Sequence, residues 1–179
     1  GIVIVVKEEC ATCHSVGSVL VQLDGAATLT VYTQDDPNFP GDIAAVHDED
    51  LAVSWHHAIE TVPTVIRVVD GVEIERTVGW HREEWERVTG ITGLGPDLPA
   101  MRPGCGSMSV DPDLVDALNV RFGASILASR RIDVAQAEDE MEMMFTRGWT
   151  DGLPVVPPTE ERVMRMLTGT TRAPSDIVA

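Results

Sequence analysis

Long hydrophobic runs are missing from this chain of 179 residues. No apolar stretch approaches the roughly 20 residues that a membrane-spanning helix needs, so we expect a soluble protein with no membrane partner. Basic residues are also scarce, because 13 Lys and Arg stand against 29 Asp and Glu, for a formal net charge of −16. A surface this acidic repels phosphate backbones, which argues against nucleic acid as a partner.

Cysteine is rare as well, with only Cys10, Cys13 and Cys105 in the chain. Three cysteines cannot all pair within one chain, which argues against the disulfide framework of a small secreted protein. Unpaired thiols favour the reducing cytoplasm, and we identify no signal peptide. Two of the cysteines form a C-x-x-C pair, which is typical of redox, metal or haem chemistry.

The hydrophobic pattern of the first half predicts an α/β domain over residues 1–92, in the order β-α-β-α-β-β-α. Strands joined through a helix are expected to be parallel, whereas Asp70-Gly71 predicts a hairpin between the last two strands. Runs of β-branched residues indicate strands, and apolar residues at helical spacing indicate helices. The predicted strands cover 2–6, 28–33, 65–69 and 72–78, and the predicted helices cover 10–23, 51–59 and 81–89.

The second half of the chain differs from the first in composition. Glycine and proline crowd residues 93–112, which we interpret as a linker or loop carrying Cys105. Residues 113–179 are predicted to form a mainly helical C-terminal segment. Within that segment we expect helices over 113–122, 134–147 and 159–167, a short strand over 124–128, and an extended proline-rich stretch over 153–158.

The first half resembles the thioredoxin superfamily. A hydrophobic strand enters C-x-x-C at a predicted helix start, and a Val62-Pro63 pair, the hairpin and a final helix follow. The resemblance implies a three-layer fold with a central mixed sheet. It also implies that Pro63 is cis and packs beside the two sulfurs, that Val62 offers its backbone to a substrate, and that Ala11 and Thr12 belong to the substrate site.

The position of the C-x-x-C pair at a helix start predicts that Cys10 is the nucleophile and Cys13 the resolving thiol. Cys10 is expected to be reachable at the helix start, where backbone N–H groups favour a thiolate, and Cys13 to be more buried. Glu9 and the glutamate before it are expected to raise the pKa of Cys10. Ile4 stands where thioredoxin has a buried aspartate, and His14 is either a positive charge near Cys13 or a surface residue without a role.

The second half is similar to the UGSC-motif (seleno)protein family, through Gly104-Cys105-Gly106-Ser107 and the stretch over 149–159. Relatives place selenocysteine or cysteine at the position of Cys105. Met108 stands where the motif has a further cysteine, so no resolving role carries over to it. Cys105 is either a second redox centre, exchanging with Cys10 and Cys13 of its own or another chain, or an incidental loop cysteine.

Other functions remain open at this point. Cys10-Ala-Thr-Cys13-His14 fits the attachment pattern of c-type haem, and Cys10, Cys13, His14 and Cys105 are a plausible zinc ligand set. A non-catalytic thioredoxin-like binding module is a further alternative. We nevertheless predict a thiol–disulfide oxidoreductase that needs no metal or cofactor and acts on a protein or small-molecule disulfide or thiol.

Overall fold

The computed structural model describes residues 1–123, 127, 132, 134, 139–173 and 176. The chain has a mixed α/β structure, and it divides into two compact units, Gly1–Leu118 and Asn119–Ala179. Within the described residues, no helix combines the length and the apolar character needed to cross a membrane.

The first unit contains nine strands and four complete helices among its described residues. Its strands are β1 (Ile2–Val6), β2 (Leu29–Thr33), β3 (Val46–His47), β4 (Thr61–Val62), β5 (Thr64–Val69), β6 (Val72–Val78), β7 (Trp80–His81), β8 (Met101–Arg102) and β9 (Cys105–Gly106). Its helices are α1 (Ala11–Ser15), α2 (Gly17–Asp24), α3 (Ala52–His56) and α4 (Arg82–Thr89), followed by a 3-10 turn (Met108–Val110).

A central mixed sheet of five strands has the order β3-β2-β1-β5-β6. Strand β1 pairs in parallel with β2 and antiparallel with β5, and β5 continues through the hairpin into β6. The predicted parallel pair and the predicted hairpin are therefore confirmed. The β1 side chains are almost all buried, as the continuous β-branched run indicates.

The helices pack their apolar residues onto this sheet. The helix predicted over 10–23 is interrupted at Val16, which ends α1 and precedes α2. Helix α4 ends at Gly90, whose φ of 75° suits glycine. The indole rings of Trp80 and Trp85 meet edge to face inside this core, 5.1 Å between centroids.

Residues 93–112 differ from the predicted linker. They contribute β8, which pairs with β7, and β9, which pairs with β4. The compact first unit therefore contains this segment and ends at Leu118, later than the predicted boundary at residue 92. The helix predicted over 51–59 is also shorter, because only Ala52–His56 is helical.

Helix α5 (Val115–Phe122) crosses the division between the units. In the second unit, α6 (Glu140–Thr146) is capped by Asp139, and α7 (Glu160–Leu167) is capped by Thr159. The α7 bounds confirm the predicted helix. Most of the strand predicted over 124–128 lies outside the described residues, as do residues 135–138 of the helix predicted over 134–147.

Candidate functional site

Cys10 follows strand β1 and caps the first helix. Its backbone is extended, with φ −116° and ψ 111°, and its sulfur accepts a hydrogen bond from the backbone N–H of Cys13 at 3.4 Å. The C-x-x-C spacing places Cys13 one helical turn further on. Both thiols are completely buried, with 0% of each residue exposed.

Cys105 reaches the same place from a distant part of the sequence. Strand β9 pairs antiparallel with β4 in a register that sets Cys105 opposite Val62. The sulfurs of Cys105 and Cys10 lie 2.7 Å apart, although the two residues are 95 positions apart in the chain. Cys105 is partly exposed, and all three cysteines are free thiols. The structure therefore gathers every cysteine of the chain at one site.

The three thiols differ in acidity. Burial acts to raise the pKa of Cys10, but hydrogen bonds from the Cys105 thiol and from Cys13 outweigh burial, and the pKa is lowered overall. Burial raises the pKa of the Cys13 thiol far above its ordinary value. Burial and the hydrogen bond to Cys10 also raise the pKa of Cys105. Cys10 is thus the thiol that ionises first, and as a thiolate it accepts a hydrogen bond from Cys105.

The expectation that Cys10 is reachable from solvent is wrong. Residues 103–109, which we call the strap, lie across the start of α1 because β9 adds to the edge of β4. Thr12 Oγ1 donates to the Pro103 carbonyl oxygen at 2.6 Å, and Lys7 Nζ donates to the Gly106 carbonyl oxygen at 3.1 Å. Of the three cysteines, Cys105 is the one that is partly exposed.

The residues that the resemblance assigns to substrate binding surround Cys10. The Val62–Pro63 peptide is cis, as expected, and both residues are buried. The Val62 carbonyl oxygen lies 3.6 Å from Cys10 Sγ and accepts from that thiol when it is protonated. Thr12 is buried beneath the strap, whereas Ala11 is exposed.

The two residues predicted to tune the thiols lie at the surface. Glu9 is exposed, and its backbone N–H donates to the Asp35 carboxylate at 3.0 Å. His14 Nε2 lies 3.4 Å from a carboxylate oxygen of Glu8, and its ring meets the Phe39 ring edge-on at 4.9 Å between centroids. The structure thus places His14 in a surface pair with Glu8.

A buried polar network anchors the strap, and sequence reasoning missed it. The Gln34 side-chain amide donates to Ser107 Oγ at 2.6 Å and to Ser54 Oγ at 2.7 Å, and it accepts from the Met108 N–H at 3.1 Å. Gln34 is 2% exposed. The available signal was a glutamine directly after a predicted strand, where a buried amide needs hydrogen-bond partners. The remaining members are Asp48, which accepts from Ser54, and Ser109, which contacts Ser107 and the Ile59 carbonyl oxygen.

Among the described residues, no group of three or more His, Cys, Asp or Glu side chains has a geometry suited to a metal ion. The family-model scan and the search of curated proteins gave no match to this chain. The site itself supplies the chemistry: an acidic buried thiol in contact with two less acidic ones. Such a set can pass a disulfide bond from one pair to another.

Proposed function

We propose that the chain is a thiol–disulfide oxidoreductase in which Cys10 exchanges a disulfide bond with Cys105 and Cys13. The observation that carries the proposal is the 2.7 Å separation between Cys10 Sγ and Cys105 Sγ. A disulfide bond is about 2.05 Å long, so the two sulfurs need to approach by only about 0.7 Å to bond. The Cys13 backbone N–H donates to the same Cys10 sulfur at 3.4 Å, so Cys10 lies close to both of its possible disulfide partners.

The topology supports a thioredoxin-like fold for residues 1–92. A parallel β-α-β unit is joined to a hairpin through the antiparallel pair of β1 and β5, and the C-x-x-C pair follows β1. Docking of Gly104–Ser107 against Cys10 supports the redox role of Cys105 that the UGSC-motif resemblance implies. All the residues named here lie in the first unit, Gly1–Leu118.

The order of acidities supports the assignment of roles. A thiolate is the attacking species in disulfide exchange, and the lowered pKa of Cys10 favours that form. When Cys105 carries a disulfide to an external thiol, the Cys10 thiolate attacks Cys105 Sγ, forms the Cys10–Cys105 bond and releases the external thiolate. The Cys13 thiol then attacks Cys10 Sγ, and its proton passes to the departing Cys105 sulfur.

Variants in which one cysteine at a time is replaced by serine test this exchange. The reduced Cys13→Ser protein, treated with equimolar diamide, should form an internal Cys10–Cys105 disulfide, identified as a linked peptide pair by mass spectrometry. Cys105→Ser should form the Cys10–Cys13 disulfide instead. The wild-type chain should also catalyse reduction of a disulfide by dithiothreitol, and Cys10→Ser should not.

The same oxidation in concentrated urea is the control, because unfolding separates Cys10 from Cys105 in space. The Cys10–Cys105 link should then form much more slowly. A folded Cys13→Ser protein that yields only disulfide-linked dimers, together with a wild-type chain that catalyses nothing, would support the alternative of a non-catalytic binding module.

A further inference from the structure

The three cysteines differ in solvent exposure, and this difference bears on the class of substrate. Cys10 and Cys13 have no exposed surface, and Cys105 is the only partly exposed cysteine. A reagent in solution therefore meets Cys105 first. Any larger molecule that is to touch Cys10 directly has to remove the strap.

The edge at which a peptide substrate would add is already occupied. Extended peptides bind to an exposed sheet edge through main-chain hydrogen bonds. In this chain the β4 edge pairs with the chain's own β9, with Thr61 opposite Gly106 and Val62 opposite Cys105. The strap thus fills the position that a protein disulfide would take beside Cys10.

The strap is held by buried contacts as well as by this pairing. Ser107 and Ser109 are almost fully buried, and Gln34 bonds to Ser107 and to the Met108 N–H. The Ser107 N–H donates to the Glu60 carbonyl oxygen at 3.0 Å. Releasing the strap would break these bonds together, and buried polar groups are rarely left unpaired.

The fit of the strap is tightest at Gly104. A methyl group added to Gly104 would clash with Thr61 Cγ2 and would lie 2.7 Å from the Val62 carbonyl oxygen. A methyl group added to Gly106, on the other side of Cys105, would meet no atom within 4 Å. The two glycines that flank Cys105 therefore offer a matched pair of variants.

We propose that the strap stays docked during turnover, so that Cys105 receives the substrate and the substrate is a low-molecular-weight disulfide. This inference rests on the proposed function and adds the class of substrate to it. Cys105 acts as a relay between solvent and the buried C-x-x-C pair. A protein disulfide that binds by adding a strand at the β4 edge is excluded, because β9 already pairs with that edge.

The relay balances in atoms and electrons. The Cys10 thiolate takes the proton of Cys105, and the Cys105 thiolate attacks the small disulfide RSSR, giving Cys105–S–S–R and RS⁻. That RS⁻ takes the proton from Cys10 and leaves as RSH. Cys10 then displaces the second RS⁻ from Cys105, and Cys13 resolves the Cys10–Cys105 bond. RSSR gains two electrons, the Cys10–Cys13 pair is oxidised, and a dithiol such as dithiothreitol restores it.

The test compares two disulfides with dithiothreitol as the reductant and the full chain as the catalyst. Wild type should accelerate reduction of 2-hydroxyethyl disulfide and leave insulin reduction at the uncatalysed rate. Gly104→Ala should accelerate insulin reduction by about tenfold or more, because the clash displaces the strap. Gly106→Ala should retain the selectivity of wild type.

A second variant covers the case in which Gly104→Ala does not fold. Cys105→Ser keeps the size of the strap and removes its sulfur, so reduction of the small disulfide should fall by about tenfold or more. Insulin reduction by wild type at a rate similar to that of the small disulfide would overturn the inference and leave the proposed function standing. Failure of wild type with both substrates would overturn both.

Discussion

Replacing Gln34 with alanine should loosen the strap and destabilise the first unit. The side chain is 2% exposed and makes hydrogen bonds to Ser107 Oγ, to Ser54 Oγ and from the Met108 N–H. Each such bond contributes about 0.5–1.5 kcal/mol net, and a buried group left unpaired costs more. We therefore expect the free energy of unfolding to fall by about 2–4 kcal/mol.

Urea unfolding followed by tryptophan fluorescence measures this change. The buried pair of Trp80 and Trp85 reports on the first unit. Gln22→Ala is the control, since Gln22 is exposed and its side chain makes one hydrogen bond, from the Gly95 N–H at 3.1 Å. That variant should lose about 0.5 kcal/mol or less.

Hydrogen exchange distinguishes a loosened strap from general destabilisation. In Gln34→Ala, the backbone amides of residues 103–109 should exchange faster relative to wild type than those of β1. A loss of stability below about 1 kcal/mol, with unchanged exchange in the strap, would refute the view that Gln34 anchors it.

Two further predictions concern the thiols. Cys105→Ala removes a hydrogen bond that lowers the pKa of Cys10, so the ultraviolet absorbance of the thiolate should appear at higher pH than in wild type; an unchanged midpoint contradicts the acidity order. His14→Ala should leave this titration unchanged, because His14 pairs with Glu8 at the surface. A midpoint that moves as far in His14→Ala as in Cys105→Ala would assign His14 the role that sequence alone left open.

The sheet and the start of the site could be predicted from the sequence because their signals are local. The β-branched run gives β1, and Asp70-Gly71 fixes the hairpin so closely that β6 spans the predicted residues Val72–Val78. The break at Val16 and the short strands β3, β4, β7, β8 and β9 were missed. Two-residue strands are too short to show a period of hydrophobicity.

The position of the strap over Cys10 could not be predicted from the sequence, for a different reason. Gly104 and Gly106 look like loop glycines in sequence, and only contact with Thr61 and Val62 distinguishes the first from the second. Pairing of β4 with β9 joins segments more than forty residues apart, which no local pattern encodes. Tertiary contact, rather than local preference, decides which cysteine meets solvent.

The wide separation of Cys10 and Cys105 along the chain links redox state to resistance to unfolding. A disulfide between residues 95 positions apart would close most of the first unit into a ring. The lost conformational entropy would raise the free energy of the unfolded state by about 4.7 kcal/mol at room temperature. A disulfide between Cys10 and Cys13 closes a ring of only one helical turn, and it would raise the free energy of the unfolded state by only about 2 kcal/mol. When Cys10 changes its disulfide partner from Cys105 to Cys13, the cross-link therefore stabilises the folded first unit less.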